Sequence, residues 1–63
     1  MPEKMALSVS ETARMLGVSR PTIYKLINRE DFPAFRVGGR TLISAEGLRD
    51  WIRQQIPQAE QIA

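Results

Sequence analysis

The chain has 63 residues, no cysteine and a formal net charge of +2. A chain of this length forms at most one domain and buries only about 60% of the surface that its unfolded form exposes, so it has no room for a deep catalytic cavity. Disulfides and thiolate metal sites are excluded, and packing alone must stabilise the fold. The sequence contains no run of about 20 apolar residues and does not begin like a signal peptide, which predicts a soluble cytoplasmic protein.

Positive charge is concentrated in the middle of the chain. Five basic residues lie between positions 20 and 40: Arg20, Lys25, Arg29, Arg36 and Arg40. Such clustering can attract a polyanion, but it is equally compatible with an ordinary solvated surface. The charge pattern alone leaves both interpretations open.

The first predicted helix covers residues 9–16. Ser8 can cap this helix while Glu11, three residues later, reaches back to the Ser8 amide in a capping box. Four residues at helical spacing form its buried face: Val9, Thr12, Ala13 and Leu16. Gly17 follows directly and can adopt the left-handed conformation that ends a helix.

Only Gly17 and Val18 separate the first predicted helix from Ser19, the cap candidate of a second helix. Pro21 fits in the first turn, where amides have no intrahelical partner, and the Thr22 amide is the expected donor to the Ser19 hydroxyl. Three residues form the buried stripe: Ile23, Leu26 and Ile27. At about 100° per residue, five residues lie opposite that stripe or on its flanks: Pro21, Thr22, Tyr24, Lys25 and Asn28.

Two short helices joined by a tight turn with a glycine are the ingredients of a helix-turn-helix. In that motif the second helix lies in the major groove of DNA, and its early residues contact base edges and phosphates. The alternative is that the two helices simply pack together and expose a charged outer face.

A β-hairpin is predicted after Pro33. The short runs "AFRV" and "RTLI" flank Gly38 and Gly39, and a Gly-Gly connection suits a type I′ turn, which requires positive φ at both central residues. Arg36 and Arg40 lie next to the tip. The glycines need no role beyond the turn, but a narrow tip flanked by arginines can also enter or straddle a minor groove. A hairpin that follows a helix-turn-helix in this way is a wing.

A third helix is predicted between the cap candidate Ser44 and Pro57. Four apolar residues recur in it at helical intervals: Leu48, Trp51, Ile52 and Ile56. Trp51 is the predicted anchor of the core, because one buried tryptophan removes about 200 Å² from water.

The predicted organisation is a single domain over residues 7–56, preceded by a disordered N terminus (residues 1–6) and followed by a flexible tail (residues 57–63). The predicted fold class is mainly α with a small β-hairpin. The element order α-α-β-β-α is that of a winged helix-turn-helix.

Residues 7–52, "LSVSETARMLGVSRPTIYKLINREDFPAFRVGGRTLISAEGLRDWI", resemble the excisionase family of small DNA-binding domains, which is related to the winged-helix domain of MerR-type regulators. The resemblance is carried by "SETARMLGVS", the recognition helix "RPTIYKLI", the wing "FPAFRVGGR" and the closing helix "ISAEGLRDWI". Each piece is common alone, but their order and spacing are specific to the family.

The resemblance implies double-stranded DNA as partner and assigns two sets of contact residues. The major-groove set is Ser19, Arg20, Pro21, Thr22, Tyr24 and Lys25. The wing set is Arg36, Gly38, Gly39 and Arg40. Family wings are often more basic on the returning strand, whereas this chain has Thr41 and Leu42 there. Leu42 is therefore expected either at the surface or in a protein contact.

Excisionases, also called recombination directionality factors, bind and bend DNA beside an attachment site and assist an integrase in excising a mobile element. The resemblance thus implies a bacterial or phage-encoded protein. Its candidate interactions are binding to an integrase and cooperative self-assembly on DNA. This role is favoured because the sequence ends soon after the third helix, without the long dimerisation helix expected of full MerR-type regulators.

Two other functions stay open. A small phage-type transcription regulator would use the same fold and the same DNA contacts. A protein–protein interaction module would instead use the exposed face of the second helix or the hairpin edge, with Leu42, Ile56 and Ile62 as apolar contacts. An enzyme, a metal site and a cofactor are not expected, because the sequence has no histidine, no cysteine and no glycine-rich phosphate loop.

Overall fold

Three helices and a three-stranded antiparallel sheet make up residues 4–56, the part of the chain that the computed structural model describes. The elements are β1 (Ala6–Leu7), α1 (Val9–Leu16), α2 (Arg20–Ile27), β2 (Ala34–Val37), β3 (Arg40–Ser44) and α3 (Ala45–Gln55). The predicted fold class and the order α-α-β-β-α are confirmed, with β1 as an additional strand. The predictions for residues 1–3 and 57–63, including Pro57 and Ile62, lie outside the described residues.

A serine side chain caps each of the three helices. The Ser8 hydroxyl accepts from the Glu11 amide at 3.0 Å, and the Glu11 carboxylate accepts from the Ser8 amide at 3.0 Å, which completes the predicted capping box. The Ser19 hydroxyl accepts from the Thr22 amide at 3.4 Å, and the Ser44 hydroxyl accepts from the Gly47 amide at 2.9 Å. Each cap satisfies an amide that has no partner inside its helix.

The turn between α1 and α2 depends on Gly17. This residue has a φ of 73°, and the Val18 amide that follows donates to the carbonyl of Ala13 at 3.0 Å. A residue with a Cβ is strained at such a φ, so glycine allows the chain to reverse within the three residues between α1 and α2. The reversal places α2 against α1, as in a helix-turn-helix.

Strand β3 lies at the centre of the sheet, with β1 on one side and β2 on the other. Leu7 pairs with Ile43 across β1 and β3, and Ala34 pairs with Ile43 across β2 and β3. The hairpin turn has φ values of 55° at Gly38 and 82° at Gly39, as a type I′ turn requires. The predicted boundary between the N-terminal segment and the domain, after residue 6, falls inside β1.

The core lies between the three helices and one face of the sheet. Its apolar members are Leu7, Val9, Ala13, Ile23, Phe32, Ile43 and Leu48. Ile23 of α2 and Ile43 of β3 are fully buried, as is Thr12, whose hydroxyl donates to the Ser8 carbonyl at 2.9 Å. Every element except β2 therefore contributes a buried side chain.

Trp51 lies at the edge of this core and is half-buried. Its ring meets that of Phe32 edge-on, with a centroid separation of 5.1 Å and an interplanar angle of 86°. Its Nε1 donates to Asp31 at 3.3 Å, and the same carboxylate accepts two hydrogen bonds from Arg29 at 3.0 and 3.1 Å. Trp51 was predicted to anchor the core, but the fully buried residues are Ile23 and Ile43. Trp51 instead connects α3 with the loop after α2.

We expect Ile23→Ala to unfold most of the protein and Trp51→Ala to destabilise it less. Removing a fully buried isoleucine costs about 2–5 kcal/mol, which is comparable with the stability of a small domain at about 0.05–0.15 kcal/mol per residue. The Trp51 indole leaves water only in part, so less transfer free energy is lost. Urea unfolding followed by circular dichroism measures both values, and a larger loss for Trp51→Ala would contradict this ranking.

Acid should weaken the fold through Glu11. Hydrogen bonds from the Lys4 side chain and from the Ser8 amide lower the pKa of the Glu11 carboxyl from 4.5 to about 2. Because the folded state favours the carboxylate, this contribution to stability is complete above pH 4.5 and is lost as the pH falls towards 2.

Glu11→Gln should therefore lower the free energy of unfolding at pH 7 and flatten its decline between pH 4.5 and 2. Urea unfolding at a series of pH values measures this decline. The control is Glu46→Gln, which removes an exposed carboxylate from the first turn of α3. Equal flattening in the two variants would show that the capping box is not the cause.

Candidate nucleic-acid interface

The exposed face of α2 carries the whole predicted major-groove set. These residues are all exposed: Ser19, Arg20, Pro21, Thr22, Tyr24 and Lys25. Ile23 lies among them in sequence but is fully buried, and Tyr24 keeps 56% of its surface exposed. Burial of Ile23 thus turns the opposite side of the helix towards solvent, where a ligand can reach it.

The N terminus of α2 is rich in hydrogen-bond donors and has no acidic residue in its first turn. The hydroxyls of Ser19 and Thr22 are 3.0 Å apart, and Arg20 lies between them in sequence with its side chain exposed. Helix N-termini attract anions because their amides and the helix dipole both present positive charge. Hydroxyl groups, a guanidinium and a helix N-terminus together suit a phosphate.

Helix α1 adds two exposed residues beside this surface, Ser10 and Arg14. The Arg20 guanidinium reaches the Ser10 hydroxyl at 3.5 Å, and Arg14 follows Ser10 one turn later on the same flank of α1. Neither residue was predicted as a contact, although helical spacing places both on the flank that adjoins α2. Their position extends the polar surface from α2 onto α1.

Asn28 is a further exposed residue at the C-terminal end of α2. It is the C-cap of α2 and lies about one turn beyond Tyr24 and Lys25. Helical spacing places Asn28 opposite the buried stripe, although the contacts predicted from the sequence include only the early residues of this helix. An asparagine side chain can form two hydrogen bonds with adenine in the major groove.

The wing is exposed at all four predicted positions: Arg36, Gly38, Gly39 and Arg40. Arg36 pairs with Thr41, and Val37 pairs with Arg40, so successive cross-strand pairs project on opposite faces of the hairpin. Arg36 shares the face of Ala34 and Ile43, which covers the core. Arg40 projects from the outer face, so the structure places the two arginines on opposite sides of the hairpin.

The outer face of the hairpin also carries exposed apolar side chains. Phe35 pairs directly with Leu42, and Val37 lies on the same face nearer the tip. Phe35 is 41% exposed and Val37 is 54% exposed, while Leu42 is half-buried. The Leu42 side chain therefore lies in an apolar pair at the surface, beside Arg40.

The candidate cations of the helix and the wing are not neutralised by neighbours. Within residues 4–56, no ion pair is formed by Arg20, Lys25, Arg36 or Arg40. The acidic side chains Glu11, Asp31 and Asp50 are paired elsewhere, with Lys4, Arg29 and Arg53. The surface formed by α2 and the wing therefore presents positive charge.

Comparison with known proteins gives the family. The model of a helix-turn-helix domain family matches residues 6–56. The chain belongs to this family. With α1, Gly17 and α2 arranged as described, this membership supports a DNA-binding protein.

Curated relatives are similar over most of the domain. Uncharacterized protein Rv2310 of Mycobacterium tuberculosis is 44% identical over 39 residues, which are 62% of this chain and 34% of the relative. The Mycobacterium tuberculosis protein named "Putative DNA-binding protein Rv0500A" is 35% identical over 46 residues, which are 73% of this chain and 59% of the relative.

Uncharacterized protein YvgK of Bacillus subtilis is 35% identical over 51 residues, which are 81% of this chain and 17% of that relative. This chain thus spans between about a sixth and three fifths of the length of these relatives. No solved structure gives a significant match. Within residues 4–56, no helix has the length and apolar character that a membrane span needs.

Binding of duplex DNA should depend steeply on salt. Each phosphate neutralised by a side chain contributes about 0.9 to the slope of log affinity against log salt. Lys25→Ala and Arg40→Ala should each flatten this slope by about one unit, because each removes one cation from the surface of α2 and the wing. Fluorescence anisotropy with a labelled duplex at several salt concentrations measures the slope.

The matched control is Arg53→Ala. Arg53 is an exposed arginine of α3 that pairs with Asp50 at 3.0 Å, and its removal should leave the slope unchanged. If neither Lys25→Ala nor Arg40→Ala changes the slope, the assignment of α2 and the wing as the phosphate-binding surface is wrong.

Proposed function

We propose that this protein is an excisionase, a factor that binds and bends double-stranded DNA so that an integrase excises a mobile element. The proposal rests on the burial of Ile23, which exposes the polar face of α2. The hairpin adds an arginine on each of its two faces. A helix of this kind fits the major groove, and the hairpin fits an adjacent minor groove. The relative named as a DNA-binding protein supports the same ligand.

We expect bending because α2 and the wing are two separate contact elements. Contacts by α2 and by Arg36 and Arg40 on either side of the hairpin would pull phosphates of neighbouring grooves towards the domain. Bending a site of 20–30 bp costs about 1–6 kcal/mol, which extra phosphate contacts can offset. The protein's role is architectural, and strand exchange is left to the integrase.

Neighbouring molecules would supply the remaining specificity. One module of this size covers about 600–1,000 Å² of protein surface on DNA, which gives limited discrimination between sites. Several copies on adjacent sites, together with an integrase, would recognise a longer sequence than one domain can. We place this assembly in the cytoplasm of a bacterium.

A small transcription regulator is the second candidate, because the same α2 and wing would serve it equally. The outer face of the hairpin favours a third possibility, a protein-interaction role, since Phe35, Val37 and Leu42 present apolar surface there. These functions differ in their consequences for DNA: excision requires bending and an integrase, regulation requires a promoter, and a pure interaction module requires no DNA.

The test begins with selection of bound duplexes from a random library, using the whole chain. On the selected site, the distance between fluorophores at the DNA ends should shorten on binding, and Lys25→Ala should need more protein for the same effect. Adding the protein to the integrase encoded nearest its gene should then raise excision of the element. Straight DNA in the complex, or excision that does not respond while a nearby promoter does, would assign the protein to transcription control. If no duplex is enriched, a protein-interaction role is the remaining candidate function.

A further inference from the structure

Arg29 differs from the other basic residues in the middle of the chain. Of the five cations between positions 20 and 40, it is the only one that forms an ion pair within residues 4–56. Its Nε and Nη2 atoms donate to the two oxygens of the Asp31 carboxylate at 3.0 and 3.1 Å. Although both side chains are exposed, two donors of the guanidinium are therefore already bound to an anion.

Arg29 lies where a DNA-binding surface could use it. It follows Lys25 by four residues, and its amide donates to the Leu26 carbonyl at 2.9 Å, so the chain continues to turn beyond the end of α2. Residues four positions apart are neighbours on such a turn. The spacing thus places Arg29 on the same side as Lys25, at the edge of the candidate DNA surface.

The Asp31 carboxylate is anchored by the rest of the domain. Trp51 Nε1 in α3 donates to it at 3.3 Å. The next residue, Phe32, is buried in the core, and its ring packs against that of Trp51. An ordinary exposed ion pair must order two long side chains, which offsets most of its attraction. Here one partner is already ordered, and it cannot turn away without losing the hydrogen bond from Trp51.

The exit of α2 has no surplus of positive charge. Arg29 is followed by two carboxylates, Glu30 and Asp31, so this segment is net negative. Glu30 is exposed and forms no ion pair within residues 4–56. The first turn of α2 contains Arg20 and no acidic residue. A polyanion that approaches α2 is therefore attracted by the start of the helix and by Lys25, and is repelled at the exit.

We propose that Asp31 withholds Arg29 from DNA phosphates and so sets where the phosphate-binding surface of α2 ends. The proposal rests on the proposed DNA-binding function and deepens it. A phosphate that approaches Arg29 must displace a carboxylate, and this carboxylate stays nearby because Trp51 holds it. Contacts with the DNA backbone are then confined to the start of α2, Lys25 and the wing.

The consequence concerns DNA of every sequence. Phosphate contacts carry no sequence information, so a free Arg29 would strengthen binding to unrelated DNA as well as to the preferred site. With Arg29 bound to Asp31, the protein holds unrelated DNA less tightly than its count of basic residues implies. Asp31 is thus an affinity-limiting residue outside the set that contacts DNA.

The central variant is Asp31→Asn, which removes the charge and one acceptor oxygen but keeps an oxygen for Trp51 Nε1. The released Arg29 should add about 0.9 to the slope of log affinity against log salt. A fourfold rise in salt should then weaken binding about threefold more than in the unmodified protein. Fluorescence anisotropy of the whole chain with a labelled random duplex measures the slope. Replacing a residue that serves only the fold would weaken binding, whereas this variant should bind more tightly at low salt.

Arg29→Ala gives the reciprocal test. In the unmodified protein it should leave the slope unchanged, because Arg29 makes no phosphate contact there, whereas Lys25→Ala flattens the slope by about one unit. Combined with Asp31→Asn, it should return the slope to that of the unmodified protein.

The matched control is Glu30→Gln, which removes a negative charge from the adjacent exposed position and releases no cation. Its slope should stay near that of the unmodified protein. Trp51 is the only tryptophan of the chain, so its fluorescence reports the loop directly. An unchanged emission spectrum in Asp31→Asn shows that the loop has kept its place.

The outcomes separate the two proposals. DNA binding with a slope that Asp31→Asn does not steepen overturns the withholding of Arg29 and leaves the proposed function intact. Equal steepening by Glu30→Gln, or a slope that Arg29→Ala flattens in the unmodified protein, also overturns it. If Asp31→Asn shifts the Trp51 emission, the result for Arg29→Ala decides. Failure of the unmodified protein to bind either random or selected duplex overturns the proposed function, and this role of Asp31 with it.

Discussion

Complete burial of Ile23 is the constraint on which the candidate interface depends. An eight-residue helix has little intrinsic stability, so its rotation about its own axis is set by what it buries. With Ile23 enclosed among the other core side chains, Tyr24, Lys25 and Asn28 must point outwards. A rotation that exposed Ile23 would lose apolar burial and withdraw these polar groups from the candidate interface at the same time. Stability and recognition are therefore linked through one side chain.

Much of this arrangement could be predicted, because local chemistry specifies it. Ser8, Ser19 and Ser44 each cap an amide three residues later, so the helix starts follow from the sequence alone. Gly38 and Gly39 likewise identify the hairpin, because a tight turn needs positive φ there. Strand β1 was not predicted, because two residues, Ala6–Leu7, are too few to show alternation. Its existence depends on pairing with β3, far along the chain. Phe32 was missed as a core residue because it lies in a non-periodic turn.

The loop after α2 shows how a few polar contacts can replace regular structure. Asp31 accepts two hydrogen bonds from Arg29 and one from Trp51 Nε1, while Phe32 beside it enters the core. The exit of α2 is thus joined to α3 by one carboxylate and one aromatic pair. An exposed ion pair contributes little alone. Here the Arg29–Asp31 pair matters for the path of the chain, because it fixes where the chain leaves α2 and hence where the wing begins.

The tip of the wing combines open space with a restricted backbone. Within the described part of the chain, a Cβ at Gly38 or Gly39 would meet no heavy atom within 4 Å apart from the adjacent residues, yet both φ values are positive. Asparagine and aspartate are the residues that most readily join glycine in that region. Glycine, asparagine and aspartate are consequently the residue types that best fit the tip. Asparagine would add a hydrogen-bond donor for a groove, whereas aspartate would add a charge that repels phosphate. A single substitution at the tip can thus change the charge of the wing while the hairpin itself keeps its shape.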